Sequence, residues 1–268
     1  MATGDLAATR ATMSEKKCAV FDGVDDNVDF PHNAAFLGTN LVNGFTICAW
    51  INPRSVGETE GRIFDKSAGS TGATGFYFGM HNTAGAVIFR INVGTTRASA
   101  NSSVAYNVWT HAMVTVSAAQ LANFYINGVA SGTANADLVQ TISTITGTGS
   151  QRIGNRTGAT DRTFEGGICQ VKMWNRVLTA AEIAKVYAGN PVTEGLIFDA
   201  PLKEDYLDYS PLGLTGTNTG SYLTNNYANA IVADVHQLNL AATTDFLKIT
   251  PISGRDSKFK VVAINRST

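Results

Sequence analysis

The chain has 268 residues and is nearly neutral, with 20 lysine and arginine residues against 21 aspartate and glutamate residues. This balance excludes nucleic acid and an anionic membrane surface as expected partners, because both demand a basic patch. Only 15% of the residues are charged while 26 are glycine, a composition typical of short strands joined by tight turns.

Residues 1–17 are rich in alanine, threonine and charge, and they predict a flexible N-terminal arm. They contain no apolar stretch of the length that a signal peptide needs. No run elsewhere approaches the roughly 18 apolar residues of a membrane span. We therefore expect no membrane insertion and no export by an obvious Sec route.

Residues 21–30 read FDGVDDNVDF and bring four aspartates close together, Asp22, Asp25, Asp26 and Asp29. Such a cluster is compatible with a metal site, an acid/base pair or a turn. Asp and Asn favour turns because their side chains bond the local backbone, and glycine tolerates positive φ. We interpret DGVDDN as a hairpin reversal between two strands.

Short apolar or alternating runs then recur over residues 18–170, separated by clusters of Gly, Asn, Ser or Thr. Examples are GFTICAWI, GFYFGMH, AVIFRINV, WTHAMVTV, ANFYINGV and GICQVKMW. Alternation of Val114 with Val116, and of Phe124 with Ile126, predicts strands with one face on a core. No βαβ rhythm is present, so we expect an all-β fold, an antiparallel sandwich.

The three cysteines, Cys18, Cys48 and Cys169, are widely spaced and form no C-x-x-C motif. Neither a disulfide framework nor a zinc site is indicated. Cys48 and Cys169 lie in apolar strand-like runs. We expect these thiols to be buried and unreactive.

One short helix is predicted at LTAAEIAKVYAGN. Thr179 is the expected N-cap, and Glu182 three residues later completes a capping box. Gly189 supplies the left-handed residue that ends the helix. The apolar residues at helical spacing are expected to hold it against the sandwich.

Two segments carry a family resemblance, WTHAMVTVSAAQLANFYINGVASG and RIGNRTGATDRTFEGGICQVKMWNRVLTAAEIAKVYAGN. They resemble the second half of a laminin-G-like or pentraxin-like domain of the concanavalin A-like lectin/glucanase superfamily. FDGVDDNVDF and GFTICAWINP resemble its first half. The resemblance implies a jelly-roll sandwich of two antiparallel sheets over residues 18–191.

Residues 192–268 form a β-rich C-terminal extension whose sequence resembles the start of a second domain of this kind. HQLNLAATTDFLKI can be laid against CAVFDGVDDNVDFP. Two alternatives follow: residues 195–202 supply a final strand to the first domain, or residues 192–268 form a partial β module that docks elsewhere. An unpaired edge in such a module would favour assembly with another chain.

Relatives in this superfamily hold calcium through carboxylate and carbonyl oxygens in loops. The resemblance leaves a single calcium site as an option here, with Asp65, Asn155 and Asp161 as its candidate ligands. Arg156 and Thr157 stand where pentraxin-like relatives have an acid-rich loop, so a site for two calcium ions is not expected.

Catalysis is not indicated. Retaining glucanases of the superfamily need two carboxylates about 5 to 5.5 Å apart, presented as E-x-D-x-E on one strand, and this motif is absent from the sequence. The sequence also lacks a serine elbow and an H-E-x-x-H motif. His111, inside WTHAMVTV, is expected to be a packed histidine. We expect a protein that is not an enzyme and needs no cofactor beyond the calcium considered above.

Binding is the favoured function. Tyr77, Tyr106, Trp109 and Tyr125 are candidates for sugar stacking, but each lies in a strand-like run where core packing is the expected role, so the sequence indicates no single glycan platform. We expect a virion component, such as a bacteriophage decoration, fibre or tail protein, that assembles with other virion or capsid proteins or with itself and adheres to host-surface glycans. The alternatives are a secreted or surface carbohydrate-binding or adhesion module of a bacterium, located outside the cell, and a glycoside hydrolase.

Overall fold

The computed structural model of the protein describes residues 17–67, 74–82, 85–91, 97–132 and 141–224. Apart from Lys17, the predicted N-terminal arm lies outside the described residues, and so does the part of the C-terminal extension from residue 225 onward. In the described part of the chain, no helix has the length and apolar character needed to span a membrane.

Nearly all regular structure in the described residues is β-strand. The strands are β1 (Cys18–Asp22), β2 (Asn27–Phe30), β3 (Gly44–Pro53), β4 (Arg62–Asp65), β5 (Phe76–Met80), β6 (Val87–Ile91), β7 (Arg97–Ala98), β8 (Thr110–Ser117), β9 (Ala122–Ile126), β10 (Val129–Ala130), β11 (Gln151–Ile153), β12 (Glu165–Trp174), β13 (Leu196–Ala200), β14 (Thr217–Thr219) and β15 (Tyr222–Thr224). The helical elements are the 3-10 turns Ala34–Phe36 and Ile142–Thr144, the one-turn helix α1 (Gly38–Leu41) and α2 (Ala180–Tyr187).

The strands form two antiparallel sheets. The first sheet has the order β10-β9-β8-β3-β12-β1-β15, with β13 also paired to β12, and the second has the order β14-β2-β11-β4-β5-β6-β7. Neighbours in space are mostly distant in sequence, as a jelly roll requires. The predicted fold class, an all-β jelly-roll sandwich with one short helix, is confirmed.

The main core lies between the two sheets. It includes Val114, Val116, Phe124 and Ile126, so the alternation predicted for these residues is confirmed. Aromatic rings from both sheets meet edge to face in its centre, as the following pairs show: Phe30 with Phe198 at 4.9 Å and Phe64 with Phe198 at 5.6 Å between centroids. Such pairs add to the free energy gained by burying their area.

The reversal at DGVDDN is a turn, but the hairpin interpretation is wrong. β1 pairs with β12 and β15 in the first sheet, whereas β2 pairs with β11 and β14 in the second. The turn therefore carries the chain from one sheet to the other. Its side chains bond the local backbone, since Asp26 accepts from the Asp22 N–H at 2.7 Å and Asp22 accepts from the Val24 N–H at 2.9 Å.

Residues 195–224 add strands to both sheets. β13 pairs with the second half of β12, from Val171 to Trp174. β14 joins β2 in the second sheet and β15 joins β1 in the first, so a single reversal at Gly220 links the two sheets at one edge. Gly220 has φ of 78°, and a Cβ there would lie 1.9 Å from Asp26 Oδ1; only glycine fits.

The predicted helix is confirmed as α2. Thr179 caps its N-terminus and forms the expected capping box with Glu182. Gly189 follows the helix with φ of 81°, and the Asn190 N–H donates to the Lys185 carbonyl at 2.9 Å, which closes the helix end in the manner of a Schellman motif. Ile183 and Val186 are buried against the outer face of the first sheet, meaning its face away from the main core.

Candidate functional site

A cavity of about 260 Å³ lies on the outer face of the first sheet, next to the C-terminal end of α2. Strands β3, β8, β12 and β13 supply its floor, and the segment after α2 supplies one wall. The described residues lining it are Cys48, His111, Gln170, Lys172, Trp174, Val186, Gly189, Asn190, Pro191, Val192, Asp199, Pro201 and Lys203. We call this feature the α2 cavity.

A β-bulge in β12 turns polar side chains toward the α2 cavity. Cys169 pairs with Trp50 and Lys172 pairs with Cys48, so two residues of β12 oppose one residue of β3. The core-facing positions of β12 accordingly shift from Ile168 before the bulge to Val171 after it. Bulges of this kind re-aim side chains and often lie beside functional sites.

Gln170 is the residue at which β12 departs from regular geometry. Its φ is 53°, a left-handed value that costs a non-glycine residue free energy. Its N–H donates to the Pro201 carbonyl at 3.0 Å, which fixes the backbone. The side-chain amide makes no hydrogen bond to another described residue. The fixed backbone therefore keeps Gln170 beside the cavity, and its side-chain amide is available to a ligand.

An ion pair crosses the floor of the cavity. Lys172 and Asp199 are cross-strand partners on β12 and β13, and Lys172 Nζ donates to Asp199 Oδ2 at 2.7 Å. Asp199 Oδ1 is buried and, among the described residues, has no hydrogen-bond partner. A buried carboxylate oxygen without a donor is costly, and because this oxygen has almost no accessible surface, the pair meets the cavity through Lys172 Nζ and Asp199 Oδ2.

The backbone around Asp199 is fixed by the loop that follows β13. Asp208, itself buried, accepts hydrogen bonds from the Asp199 N–H at 2.9 Å and from the Ser210 N–H at 2.9 Å. The Tyr209 N–H in turn donates to the Asp199 carbonyl at 2.7 Å. The carboxylate at the cavity thus projects from a strand held on both sides.

The apolar part of the floor is formed by Cys48 and Trp174, which are buried. Trp174 Nε1 donates to the Val192 carbonyl at 2.8 Å and so fixes the segment after α2 as a wall. Burial raises the pKa of the Cys48 thiol to about 12. The thiol is therefore protonated at neutral pH and acts as an apolar surface rather than a nucleophile.

This arrangement suits binding better than hydrolysis. Among the described residues that line the α2 cavity, Asp199 alone carries a carboxylate, and that carboxylate is paired with Lys172. Glycoside hydrolysis by the usual mechanisms needs two carboxyl groups that flank the bond to be cleaved. The cavity offers an acceptor, an ammonium donor and an amide, which together can hold hydroxyl groups.

The residues predicted to bind calcium lie away from this cavity, on the outer side of the second sheet and its loops. Asp65, at the end of β4, is fully buried. It pairs with Arg62 at 3.0 Å, and its Oδ1 accepts hydrogen bonds from the Ser67 N–H and hydroxyl and from the Thr157 hydroxyl. These protein donors already surround the carboxylate.

The other two predicted ligands also have protein donors. Asn155 is buried, and its Oδ1 accepts from the N–H groups of Arg156 and Arg162. Asp161 is half exposed and pairs with Arg156 at 2.9 Å. Arg156 and Thr157 link Asp161 and Asp65 through these bonds. Calcium binding by the three residues stays a prediction.

The described residues contain one group of three acids whose oxygens lie within 4.8 Å of one another, Asp22, Asp25 and Asp26. They belong to the turn between β1 and β2. Asp26 is buried and accepts from the Asp22 N–H, and Asn27 Nδ2 donates to the Asp25 carbonyl. The hydrogen bonds of the group stabilise the turn, in line with its interpretation as a turn rather than an active site.

The aromatic candidates for sugar stacking have separate environments. Tyr77 is buried under the Arg62 guanidinium, which lies 3.3 Å from the ring centroid. Tyr125 packs against the cluster beneath α2, Trp109 is partly buried, and Tyr106 is exposed. None of the four lines the α2 cavity as the structure describes it.

Histidine and cysteine predictions are confirmed. His111 is buried and packs against the rings of Trp50 and Tyr187 at 5.3 and 5.7 Å. Cys48 and Cys169 are buried free thiols.

The cavity residues were missed by sequence reasoning, although β12 carries a signal. Its core-facing residues are Ile168, Val171 and Met173, so the spacing is three and then two. A strand alternates strictly with a period of two, and the extra residue indicates a bulge at Gln170. The partner Asp199 had no comparable signal, because its place opposite Lys172 depends on the pairing of β12 with β13.

The family model described as Concanavalin A-like lectin/glucanases superfamily matches residues 22–184. No curated protein is similar in sequence. Among solved structures, a proposed carbohydrate binding protein from Bacteroides ovatus is similar with a TM-score of 0.58 and 16% identity over 79% of this chain. The chain spans 60% of the length of that protein.

A second similar structure is the heptameric SAP-like pentraxin from Limulus polyphemus, with a TM-score of 0.55 and 16% identity. The match covers 80% of this chain and 97% of the pentraxin. At these identities the similarity extends to the fold alone.

Proposed function

Because the chain belongs to the concanavalin A-like lectin/glucanase superfamily, we propose that it is a non-enzymatic, lectin-like protein that binds glycans through the α2 cavity. The observation that carries the proposal is the ion pair between Lys172 Nζ and Asp199 Oδ2, whose two residues line the cavity together with Gln170. Sugar hydroxyl groups both donate and accept, so they match a carboxylate next to an ammonium group.

The open amide of Gln170 adds a second polar contact on the same floor. The buried faces of Trp174 and Cys48 supply an apolar floor, as ligand sites with a few placed polar groups usually have. This combination supports recognition of a polyol.

The experiment is a glycan array probed with the full-length chain and with two variants. D199A removes the acceptor from the cavity. K185Q removes a charge from the exposed side of α2, outside the cavity lining, and serves as the control. Binding that survives in K185Q and is lost in D199A is the expected result. Absence of binding to any glycan would contradict the proposal, and release of reducing sugar from a bound glycan would favour the hydrolase alternative.

The setting that we propose is a virion, in which the protein is a decoration, fibre or tail component on the particle surface. The low charged fraction and the buried free thiols Cys18, Cys48 and Cys169 support it, because virion proteins assemble inside a reducing cell before they are exposed. Association with itself or with other capsid proteins belongs to the same proposal. A secreted or surface adhesion protein of a bacterium is the alternative.

Mass spectrometry of purified particles and of the extracellular fraction separates the two settings. Recovery in particles at a fixed ratio to the main capsid protein supports the virion role. Recovery only in the particle-free culture medium or on the bacterial surface supports the alternative.

A further inference from the structure

Two of the three cysteines lie opposite each other in the first sheet. The register of β1 against β12 pairs Ala19 with Ile168. One step further along the same antiparallel ladder, Cys18 at the start of β1 comes opposite Cys169 of β12. Ala19 and Ile168 face the main core. Because side chains alternate along a strand, the two thiols lie together on the outer face of the sheet.

Packing on that face brings the two thiols into one cluster. Cys18, Val20 and Cys169 are buried together, with Trp50 and Trp109 packed against them. Both cysteines are free thiols and have no exposed surface. Burial raises the pKa of the Cys18 thiol, and the neighbouring Cys169 raises this pKa further. An electrostatic effect of one thiol on the other requires a short distance between them.

Directly opposed residues of antiparallel strands have nearly the spacing that a disulfide needs. Their Cα atoms lie about 4.5 to 5.5 Å apart, within the roughly 4.4 to 6.8 Å found for disulfide-bonded cysteines. Their Cβ atoms lie about 4.5 to 5.5 Å apart, against roughly 3.5 to 4.5 Å in a disulfide. A movement of about 1 Å between the strands therefore allows the bond to form.

The third cysteine has no such arrangement. Cys48 of β3 lies opposite Met113 on one side and Lys172 on the other. Its neighbours across the strands are therefore not cysteines, and it serves as an internal comparison for the pair.

We propose that Cys18 and Cys169 are a site of covalent modification, at which a low-molecular-weight disulfide such as oxidised glutathione converts the two thiols into a cross-strand disulfide. The bond links β1 to β12 and closes the loop of chain from residue 18 to residue 169. Both proposed settings, the virion and the bacterial surface, expose the folded protein to conditions outside the reducing cell. The inference does not depend on glycan binding.

The reaction consists of two thiol–disulfide exchanges. The Cys18 thiol loses its proton, and its sulfur attacks the oxidant, which forms a mixed disulfide and releases one molecule of glutathione. The Cys169 thiol then loses its proton and attacks the Cys18 sulfur of the mixed disulfide. This step forms the Cys18–Cys169 bond and releases the second molecule of glutathione. The protein loses two electrons and two protons, and the oxidant gains them.

The end of β1 gives the oxidant access to these buried thiols. Cys18 is the first residue of β1, and it pairs with Thr224 of β15, a strand of three residues. Strand ends open locally at a small free-energy cost. While this end is closed, the raised pKa keeps the Cys18 thiol protonated and unreactive. Opening exposes Cys18, which is therefore the attacking thiol.

The test uses the full-length chain, purified under reducing conditions and then incubated with oxidised glutathione without denaturant. We expect the number of thiols that can be alkylated after denaturation to fall from three to one, with a mass loss equal to two hydrogen atoms. A peptide map without reductant should join the peptides that contain Cys18 and Cys169. The thermal midpoint should rise by about 5 to 15 °C and return to its first value when reductant is added.

Three variants connect the cross-link to the named residues. C18A and C169A each remove one member of the pair, and C48A is the matched control that removes the other buried thiol. C48A is expected to form the same cross-link and to keep no thiol. C18A and C169A are expected to form no internal disulfide and to show no rise in the midpoint. The measurement on the wild type stands even where a variant fails to fold.

Several results would contradict the inference. Three thiols that persist in urea concentrations just below the unfolding transition, where strand ends open more often, would show that the pair is not oxidised. A disulfide that includes Cys48, one that joins two chains, a stable mixed disulfide with glutathione, or a cross-link that forms only in unfolded protein would also exclude it. Neither Cys18 nor Cys169 lines the α2 cavity, so these outcomes leave the proposed glycan binding unaffected.

Discussion

Lys172 and Asp199 face each other across β12 and β13 with 2.7 Å between Nζ and Oδ2. The second carboxylate oxygen, Asp199 Oδ1, is buried and has no hydrogen-bond partner among the described residues. The pair therefore holds the carboxylate in place without exhausting its capacity to accept. Its side chains are 29% and 16% exposed, so solvent screens the attraction only in part.

Removing the ammonium group should destabilise the fold. K172Q leaves Asp199 without its cation, and we expect a loss of about 1 to 2 kcal/mol in the free energy of unfolding. Urea denaturation measures it, with K185Q expected within about 0.5 kcal/mol of the wild type. In K172Q/D199N the loss should be smaller than the sum of the two single losses. Strict additivity would show that the two residues are not coupled.

Substitution of Gln170 should have the opposite effect on stability from substitution of Lys172. Because glycine accepts the φ of 53° without the cost that a side chain adds, Q170G should raise the free energy of unfolding by up to about 1 kcal/mol. The same variant should bind glycan more weakly. If Gln170 had a purely structural role, the variant would not raise stability while weakening glycan binding. A fall in the free energy of unfolding would show that the amide stabilises the fold.

Acid should remove the contribution of Glu182. Its hydrogen bonds to Arg176, and then to Thr179, lower the pKa of this carboxyl from its ordinary value of 4.5 to about 2. A lowered folded-state pKa means that the contribution is complete above pH 4.5 and is lost as the pH falls toward 2. At neutral pH, E182Q should cost about 1 kcal/mol or less, since the group is near the surface.

The measurement is urea denaturation of wild type and E182Q at several values of pH. The difference between them should shrink as the pH falls from 4.5 to 2. A difference that persists at pH 2 would mean that the charge is not its source.

Calcium binding at Asp65, Asn155 and Asp161 remains a prediction, and its affinity can be measured. An ion must displace donors, above all Arg156 from Asp161 and the hydroxyls from Asp65. We therefore expect weak binding, in the ~0.1 to 1 mM range of the weakest protein calcium sites. The thermal midpoint should rise with calcium up to about 10 mM but not with equal magnesium, and D161N should abolish the rise. A midpoint indifferent to calcium would exclude the site.

The fold was largely predictable, and the site was not. Alternation at Val114 and Val116 and the capping box at Thr179 are local signals that the packing preserves. The error at DGVDDN has a physical reason: a turn sequence defines the reversal of the chain, but the pairing of β1 and β2 is set by strands more than 100 residues away. The α2 cavity depends on similar long-range pairing, so only the bulge at Gln170 was visible in advance.

The reversal at Gly220 has a consequence for how the molecule forms. The partners of β1 are β12 and β15, and those of β2 are β11 and β14. Neither β1 nor β2 can therefore pair until residues beyond 150 have been synthesised. Their outer neighbours, β15 and β14, are formed by residues 217–224. During synthesis at ~5 to 20 residues per second, the two N-terminal strands stay unpaired for many seconds. Such non-local closure predicts slow folding and a need for protection of those strands until the chain has passed Thr224.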